Sequence, residues 1–246
     1  SGLSCAYYLA TMGYYPTVFE KNEIPGGMLT YGIPSYKLEK DVIAAEIDIM
    51  KEMGVEIKTG IEVGKDITIA ELRKQGYKAF YIAIGCQGGR RPNIPGDNSI
   101  GTYTAVDFLK VSNTGSLSFD DETVVVGGGN VAIDAARVAK RSGAKKVTML
   151  ALENPEILPA SKLEVEEALD DGVEILYGWG PKEVKTQDGK VSSIVFKKCT
   201  SVFDENKRFA PKYDEADTIE LNATKVIFAI GQCIEWGNLL DNEKIE

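Results

Sequence analysis

The sequence predicts an α/β protein of two doubly wound halves, the second inserted in the first and carrying a small antiparallel meander. Three observations lead there. Val124-Val125-Val126 runs into Gly127-Gly128-Gly129-Asn130 and then into a helix-periodic stretch, the strand–turn–helix order of a parallel α/β unit. Phe80-Tyr81-Ile82-Ala83-Ile84-Gly85 is echoed by Val226-Ile227-Phe228-Ala229-Ile230-Gly231, and Glu20 and Glu153 both end a strand that follows a short helix. A duplicated unit explains both coincidences. From Lys182 to Leu221 the periodicity changes to alternation, with turn signals at Asp188-Gly189 and Asp204-Glu205-Asn206, as in an antiparallel meander.

The elements follow in order. Leu3, Ala6, Tyr7, Leu9 and Ala10 mark an opening helix that ends at Gly13, and Pro16–Glu20 is a strand. A turn-prone stretch, Pro25 to Pro34, precedes a helix from Lys40 to Met53 whose apolar face is Val42, Ile43, Ile47 and Met50. Strands are expected at Val55–Ile57 and at Ala79–Ile84, the latter a continuous apolar run of the kind buried in a parallel sheet. A polar segment from Gln87 to Asp97 leads to a helix over Ala105–Val111, and Ser112–Ser116 reads as a linker. The second half then runs strand Thr123–Val126, helix Val131–Ser142, strand Lys146–Leu152, helix Lys162–Asp170, strand Val173–Tyr177, the meander, and strand Lys225–Ile230.

Composition removes whole classes of chemistry. There is no histidine among the 246 residues, so Ser-His-Asp and Cys-His nucleophiles, imidazole proton shuttles and His-bearing zinc sites are excluded. A formal net charge of -9 leaves no basic face for nucleic acid, and no apolar run is long enough for a membrane helix. The four cysteines (Cys5, Cys86, Cys199 and Cys233) form no C-x-x-C pair, so neither a redox dithiol nor an iron–sulfur ligand run is expected in this stretch. No signal-peptide pattern opens the sequence, and a cytoplasmic location is the expectation.

The chemistry-bearing motif is Gly127-Gly128-Gly129-Asn130-Val131-Ala132, which fits G-x-G-x-x-A between a strand and a helix. Such a turn brings backbone N–H groups close to a pyrophosphate and leaves a small residue where the helix packs on the strand. About 25 residues further on, Glu153 ends the next strand, where a carboxylate can accept from adenosine ribose hydroxyls and repels a 2′-phosphate. The following loop, Asn154 to Pro159, holds no arginine, so NADH is expected over NADPH.

The first half has the matching parts of an FAD site: Gly2 as the last glycine of a phosphate loop, Glu20 as the ribose acid, and Gly26-Gly27 where the backbone passes close to a dinucleotide. The string Pro25-Gly26-Gly27-Met28-Leu29-Thr30-Tyr31-Gly32-Ile33-Pro34-Ser35-Tyr36-Lys37-Leu38 carries a resemblance over essentially the whole chain, together with Ala83–Gln87, Gly127–Asp134 and Ala229–Gln232. It resembles the glutamate synthase small (beta) subunit-like NAD(P)H-dependent FAD oxidoreductases. That group includes ferredoxin–NADP reductase-type bifurcating subunits and the central part of dihydropyrimidine dehydrogenase. The resemblance implies a Rossmann-like, glutathione-reductase-type fold with two dinucleotide-binding domains: residues 1–112 and 232–246 for FAD, residues 113–231 for the nicotinamide nucleotide.

The resemblance also implies electron transfer from a nicotinamide to FAD and outward to iron–sulfur clusters or a large electron-accepting partner subunit, the clusters lying outside this segment. It implies that Gly2, Glu20, Gly26, Gly27, Leu29, Val63, Gly85, Gly231 and Gln232 line FAD, and that Gly127, Gly128, Gly129, Asn130, Val131 and Glu153 line the nucleotide. NADPH-using members carry paired arginines where this sequence has Leu152-Glu153. The first strand and first glycines of the FAD fold, its cysteine-rich leader and its last FAD-contacting segment are expected to lie outside the sequence. The 246 residues alone are therefore expected to bind FAD poorly and the nicotinamide nucleotide well. Hydride transfer between stacked rings ~3–3.5 Å apart needs no general base, which suits a chain without histidine, and no catalytic side chain and no metal ligand are assigned. The alternative is a non-catalytic nucleotide-binding or electron-relay scaffold. Lys37, Lys40, Arg90-Arg91 and the Asp134–Arg137 pair are each open to a ligand-facing or a purely structural role, and Trp179 reads as a packing wedge.

Overall fold

A computed structural model describes residues 1–115 and 121–241. The chain divides into two compact units, Ser1–Gly88 with Cys233–Glu246, and Gly89–Gln232. The division falls at Gly88/Gly89 rather than at the expected 112/113, because the segment after Gly89 supplies a strand and a helix to the second unit.

The first unit opens with α1 (Gly2–Thr11), closed by Gly13 at positive φ, and β1 (Thr17–Glu20). A single helical turn, α2 (Met28–Tyr31), leads to α3 (Lys40–Glu52), which buries Ile43 and Ile47. Val42, expected on that face, is half exposed, because it precedes Ile43 by one position and points about 100° away. β2 (Glu56–Thr59) pairs in parallel with β1, Thr17 opposite Glu56. The sequence reading missed α4 (Ile69–Lys74), although its signal is present: Thr68 and Glu71 form a reciprocal capping box. Residues 79–84 form no strand. A ladder needs a partner, and no described strand pairs with this run, so its apolar pattern alone does not make it one.

Two-residue strands β3 (Gly88–Gly89) and β12 (Gln232–Cys233) lie where the chain passes between the units. The second unit is built on a five-stranded parallel sheet ordered β4-β11-β5-β6-β7. Its strands are β4 (Thr102–Thr104), β5 (Glu122–Val126), β6 (Lys146–Ala151), β7 (Glu174–Tyr177) and β11 (Lys225–Phe228). Helices α5 (Ala105–Thr114), α6 (Asn130–Arg141) and α7 (Lys162–Asp170) follow β4, β5 and β6. The expected linker at Ser112–Ser116 is a correction: α5 runs through Thr114 and ends at Gly115 in the left-handed region, while Ser116 lies outside the described residues. Thr104 accepts from the Asp107 N–H to start the helix, and fully buried Phe108 anchors it, stabilising by about 2–3 kcal/mol.

The sheet is not covered by helices on both faces. Alternate residues of its strands go to two separate cores, as a period of two demands. Val125, Val147, Met149 and Ile227 join Phe108, Ile133, Ala136 and Ala168 on the helical side. Val124, Val126, Leu150, Val226 and Phe228 pack instead on Val184, Val191, Ile194 and Phe196 of an antiparallel meander, β8 (Trp179–Gln187), β9 (Lys190–Phe203) and β10 (Phe209–Asn222). The doubly wound expectation is thus corrected for this unit: the meander replaces the second helical layer. Its first turn is as the sequence reads, with Asp188 and Gly189 both at positive φ, the two-residue hairpin geometry.

Arg137, left open between two roles, belongs to the packing of α6 on α7. It is almost fully buried, its Nε lies 2.8 Å from Asp171 Oδ2, and it also pairs with Glu167. Arg141 binds the same Asp171 carboxylate at 2.9 Å. Hydrogen bonds from Arg141 and Arg137 hold the Asp171 carboxyl below its ordinary value of 3.8. A depressed folded-state pKa adds stability above the unfolded value that disappears as pH falls through the folded one. The melting temperature of the wild type therefore falls more steeply below about pH 4 than that of Asp171→Asn, whose side chain does not titrate. Parallel slopes in the two proteins would refute the lock.

Candidate functional site

The glycine turn sits at the carboxyl end of β5, whose neighbours are β6 on one side and β11 on the other. The carboxyl ends of the strands are where open α/β sheets bind ligands. Gly127 N–H donates to Leu150 O at 2.9 Å, and a Cβ on Gly127 would stand 2.4 Å from the Ala229 carbonyl oxygen at φ +142°, so only glycine fits. A Cβ on Gly128 would meet Glu153 Oε2 at 2.7 Å and Leu158 Cδ1 at 2.9 Å, whereas one on Gly129 would meet nothing within 4 Å. The turn is therefore packed beneath and open at Gly129. Gly129 is the N-cap of α6, and no side chain caps that twelve-residue helix. Its first N–H groups and its dipole face outward from an open glycine, a cradle that fits a pyrophosphate.

Glu153 lies two residues beyond the end of β6 rather than ending the strand as expected, and its carboxylate comes to the glycine turn, as the contact with the Gly128 position shows. Its own carbonyl accepts from Gly178 N–H at 3.1 Å. Asn154 Oδ1 accepts from the Glu156 and Ile157 amides, fixing the loop beyond it. The Asn130 side-chain oxygen accepts from Ser161 N–H at 2.9 Å and so ties α6 to the start of α7. Val131 is partly exposed on the first turn of α6.

Several residues beside the turn escaped the sequence reading. Leu158 lies against Gly128, and Ala160 N–H donates to the Gly128 carbonyl at 3.0 Å, so the loop after Glu153 doubles back under the turn. Meander strands bring more. A Cβ on Gly180 would stand 2.4 Å from Tyr213 Cε1 and 2.9 Å from Leu152 Cδ2, so both side chains lie beside Gly180. Lys198 lies over the Trp179 ring at 4.6 Å, and Lys197 over the Tyr213 ring at 4.3 Å. Trp179 packs against the meander-side core, the wedge expected. Leu152, Asn154, Ile157, Gly178 and Cys199–Phe203 enclose a cleft of about 270 Å³. Burial pushes the Cys199 thiol above its ordinary value, and the nearby Glu153 charge adds to this. No residue in β9 or β10 carried a local signal for this neighbourhood; long-range strand pairing alone brings them there.

In the first unit, Gly2 begins α1, another ten-residue helix without a side-chain cap, and its Cβ position is 3.0 Å from Ala83 Cβ. Glu20 ends β1, and its Oε1 accepts from the Asn22 backbone and side-chain N–H groups, both at 2.8 Å. Gly26 and Gly27 have φ +120° and +57°, and Gly27 faces open space. Leu29 is about half exposed on α2. Val63 bridges to Ile67 and lines a shallow cleft of about 150 Å³ with Glu62, Gly64, Lys65, Gly237 and Asn238. Gly85, at φ +68°, also has nothing within 4 Å of its Cβ position. These open glycines and the strand-end acid are the donor set and clearance that a dinucleotide's backbone-hugging course requires. Gly231 and Gln232, expected with them, belong to the second unit, where Gly231 O accepts from Arg90 N–H at 3.0 Å. Arg91 is structural, with Nη1 bonded to the Asp97 carbonyl and to Thr102 Oγ1. Among the described residues no group of three His, Cys, Asp or Glu side chains could hold a metal, and no helix is long and apolar enough to cross a membrane.

The chain matches the family described as pyridine nucleotide-disulphide oxidoreductase over residues 1–235. It is 32% identical to a glutamate synthase [NADPH] small chain of Halomonas elongata, over 94% of this chain and 51% of that protein. It is 35% identical to the corresponding Escherichia coli protein, over 79% of this chain and 44% of that one. An NADP(+)-dependent formate dehydrogenase subunit beta of Moorella thermoacetica is 37% identical over 79% of this chain and 28% of its own length. The chain thus spans about half the length, or less, of the curated relatives it matches. Among solved structures, Mycobacterium tuberculosis FprA in complex with NADPH superposes with a TM-score of 0.75 at 20% identity, over 94% of this chain and 68% of that one. Lactococcus lactis thioredoxin reductase does so at 0.68 and 18%, over 99% and 78%.

Proposed function

The chain belongs to the pyridine nucleotide-disulphide oxidoreductase family, and on that premise we propose that it is the redox module of a flavin-dependent oxidoreductase. It takes reducing equivalents from a nicotinamide nucleotide and passes electrons, through FAD, to an acceptor in a larger partner subunit. The observation that carries the reading is the Glu153 carboxylate standing at the open Gly127–Gly129 turn. Gly129, Val131 and the uncapped start of α6 would hold the pyrophosphate, and Glu153 the adjoining ribose. Gly2, Glu20, Gly26, Gly27, Leu29, Val63 and Gly85 would hold FAD, which when bound accepts two electrons as hydride and releases them singly. The protein's part is binding, orientation and exclusion of water. No side chain moves a proton, in keeping with the absence of histidine.

The acceptor class is read from the relatives, which are chains of assemblies such as glutamate synthase and formate dehydrogenase. For the donor we propose NADH, a departure from the NADPH in the names of those relatives. Residue 152 is an apolar side chain beside Gly180, and residue 153 is an anion beside the turn, so these two positions offer a 2′-phosphate repulsion instead of a cation. Anaerobic titration of the flavin-bearing polypeptide tests both points. NADH bleaches the visible flavin band at roughly tenfold lower concentration than NADPH, and Glu153→Gln narrows that ratio by raising NADPH affinity. A protein that binds nucleotide but holds no flavin would turn the assignment to a scaffold, and an unaltered ratio in the variant would remove Glu153 from the choice of donor.

A further inference from the structure

Lys40 stands where a lysine is electrostatically disfavoured, at the first position of α3, next to the positive end of the helix dipole. Its side chain does not extend to solvent. The ammonium turns back across the preceding loop and donates to the Leu29 carbonyl at 2.8 Å and to the Ile33 carbonyl. Partial burial lowers its pKa, so the placement has a desolvation cost as well. Both costs are offset by two charge-assisted hydrogen bonds to main-chain carbonyls at the end of a one-turn helix, where such groups lack helical partners.

What those carbonyls belong to gives the lysine its role. The loop before α2 is closed at its front by side chains of α2 itself: Tyr31 hydroxyl accepts from Ile24 N–H at 2.9 Å, and Thr30 Oγ1 donates to Pro25 O at 2.9 Å. Gly32 and Ile33 N–H groups both return to Met28 O at 2.9 Å. Within this closed loop Gly26 and Gly27 hold left-handed conformations and Leu29 faces outward. The front is thus tied internally, and the back is tied to α3 through Lys40. We propose that Lys40 is a positioning residue for the dinucleotide-binding loop: its ammonium clamps the Leu29 and Ile33 carbonyls, fixes Gly26–Leu29 in its binding shape, and does not itself touch the flavin. The proposal rests on the reading that this loop holds FAD.

The test compares wild type, Lys40→Met and Lys40→Arg in the flavin-bearing polypeptide. Methionine keeps an apolar stem of similar reach without the donors; arginine keeps donors and charge. In Lys40→Met, amide hydrogen exchange over residues 26–33 rises at least tenfold in flavin-free protein, while α3 and the nicotinamide-nucleotide affinity stay as in wild type. FAD affinity falls on the order of tenfold, the flavin that remains bound keeps its band position, and arginine restores most of both losses. Unchanged exchange in Lys40→Met overturns the clamp. A shifted flavin band or altered reduction potential at full occupancy overturns positioning in favour of direct contact. Faster exchange with no loss of FAD affinity also overturns the proposal, since the loop shape would then not matter to binding. A wild type that holds no FAD sinks the functional reading instead, and the exchange comparison still decides whether Lys40 clamps the loop.

Discussion

Gly128→Val lowers nicotinamide-nucleotide affinity by roughly 100-fold while leaving a folded protein, because two charge-assisted contacts of about 1.5 kcal/mol each are lost together. The reason is local. The new Cβ would occupy a point 2.7 Å from Glu153 Oε2 and 2.9 Å from Leu158 Cδ1, so the carboxylate must swing off the turn and the loop behind it must back away. The acid is then out of reach of a ribose, and the Ala160 amide that holds the Gly128 carbonyl is strained with it. Gly129→Ala supplies the control. Its backbone has an ordinary φ of -94° and its Cβ position is empty, so stability is untouched and any loss of affinity reports the approach of the ligand itself. Calorimetric titration with NADH, alongside thermal melts, separates the two. Wild-type affinity in the valine variant would remove the turn from the binding site.

Arg137→Met destabilises the second unit by about 3 kcal/mol, a fall in melting temperature of roughly 10 °C. Methionine fills much of the volume, so the loss is that of the ion pairs linking α6 to Glu167 and Asp171 on α7. Asp171 retains Arg141 at 2.9 Å and is partly solvated, which keeps the cost at the lower end for a broken buried pair. Nucleotide affinity at low temperature stays near wild type, since Arg137 is paired with Glu167 and Asp171 about two turns along the helix from Gly129. A shift of under about 2 °C would mean that the pair contributes no more than a surface salt bridge.

What could be read from the sequence was whatever a contiguous stretch encodes. The glycine turn, the helix behind it and the Asp188-Gly189 hairpin each carry their geometry in adjacent residues, and Glu153 was findable because it lies just past the end of the next strand. Where conformation depends on a distant partner, local pattern misled. Residues 80–85 and 226–231 match in residue type and punctuation, yet only 226–228 form a strand, because β4 and β5 stand ready to pair with them. Ser112-Asn113-Thr114 looks like a linker by composition but continues a helix held by Phe108 and Leu109. The neighbours of Leu152 and Glu153 in β9 and β10 were invisible, since some 45 to 60 residues separate them in the chain. The Thr68/Glu71 capping box is a different case: the signal was local and complete, and was passed over.

The unblocked start of α6 has a kinetic corollary. These 246 residues carry a formal charge of -9 and repel a dinucleotide at long range, while the attraction of the helix end extends only a few ångströms. Dissolved ions screen the far field first, within about 8 Å at physiological strength. Moderate electrolyte should therefore quicken capture of the anionic reductant, opposite in sign to proteins that steer anions with a basic surface, and stopped-flow mixing across a potassium chloride series reads that sign directly.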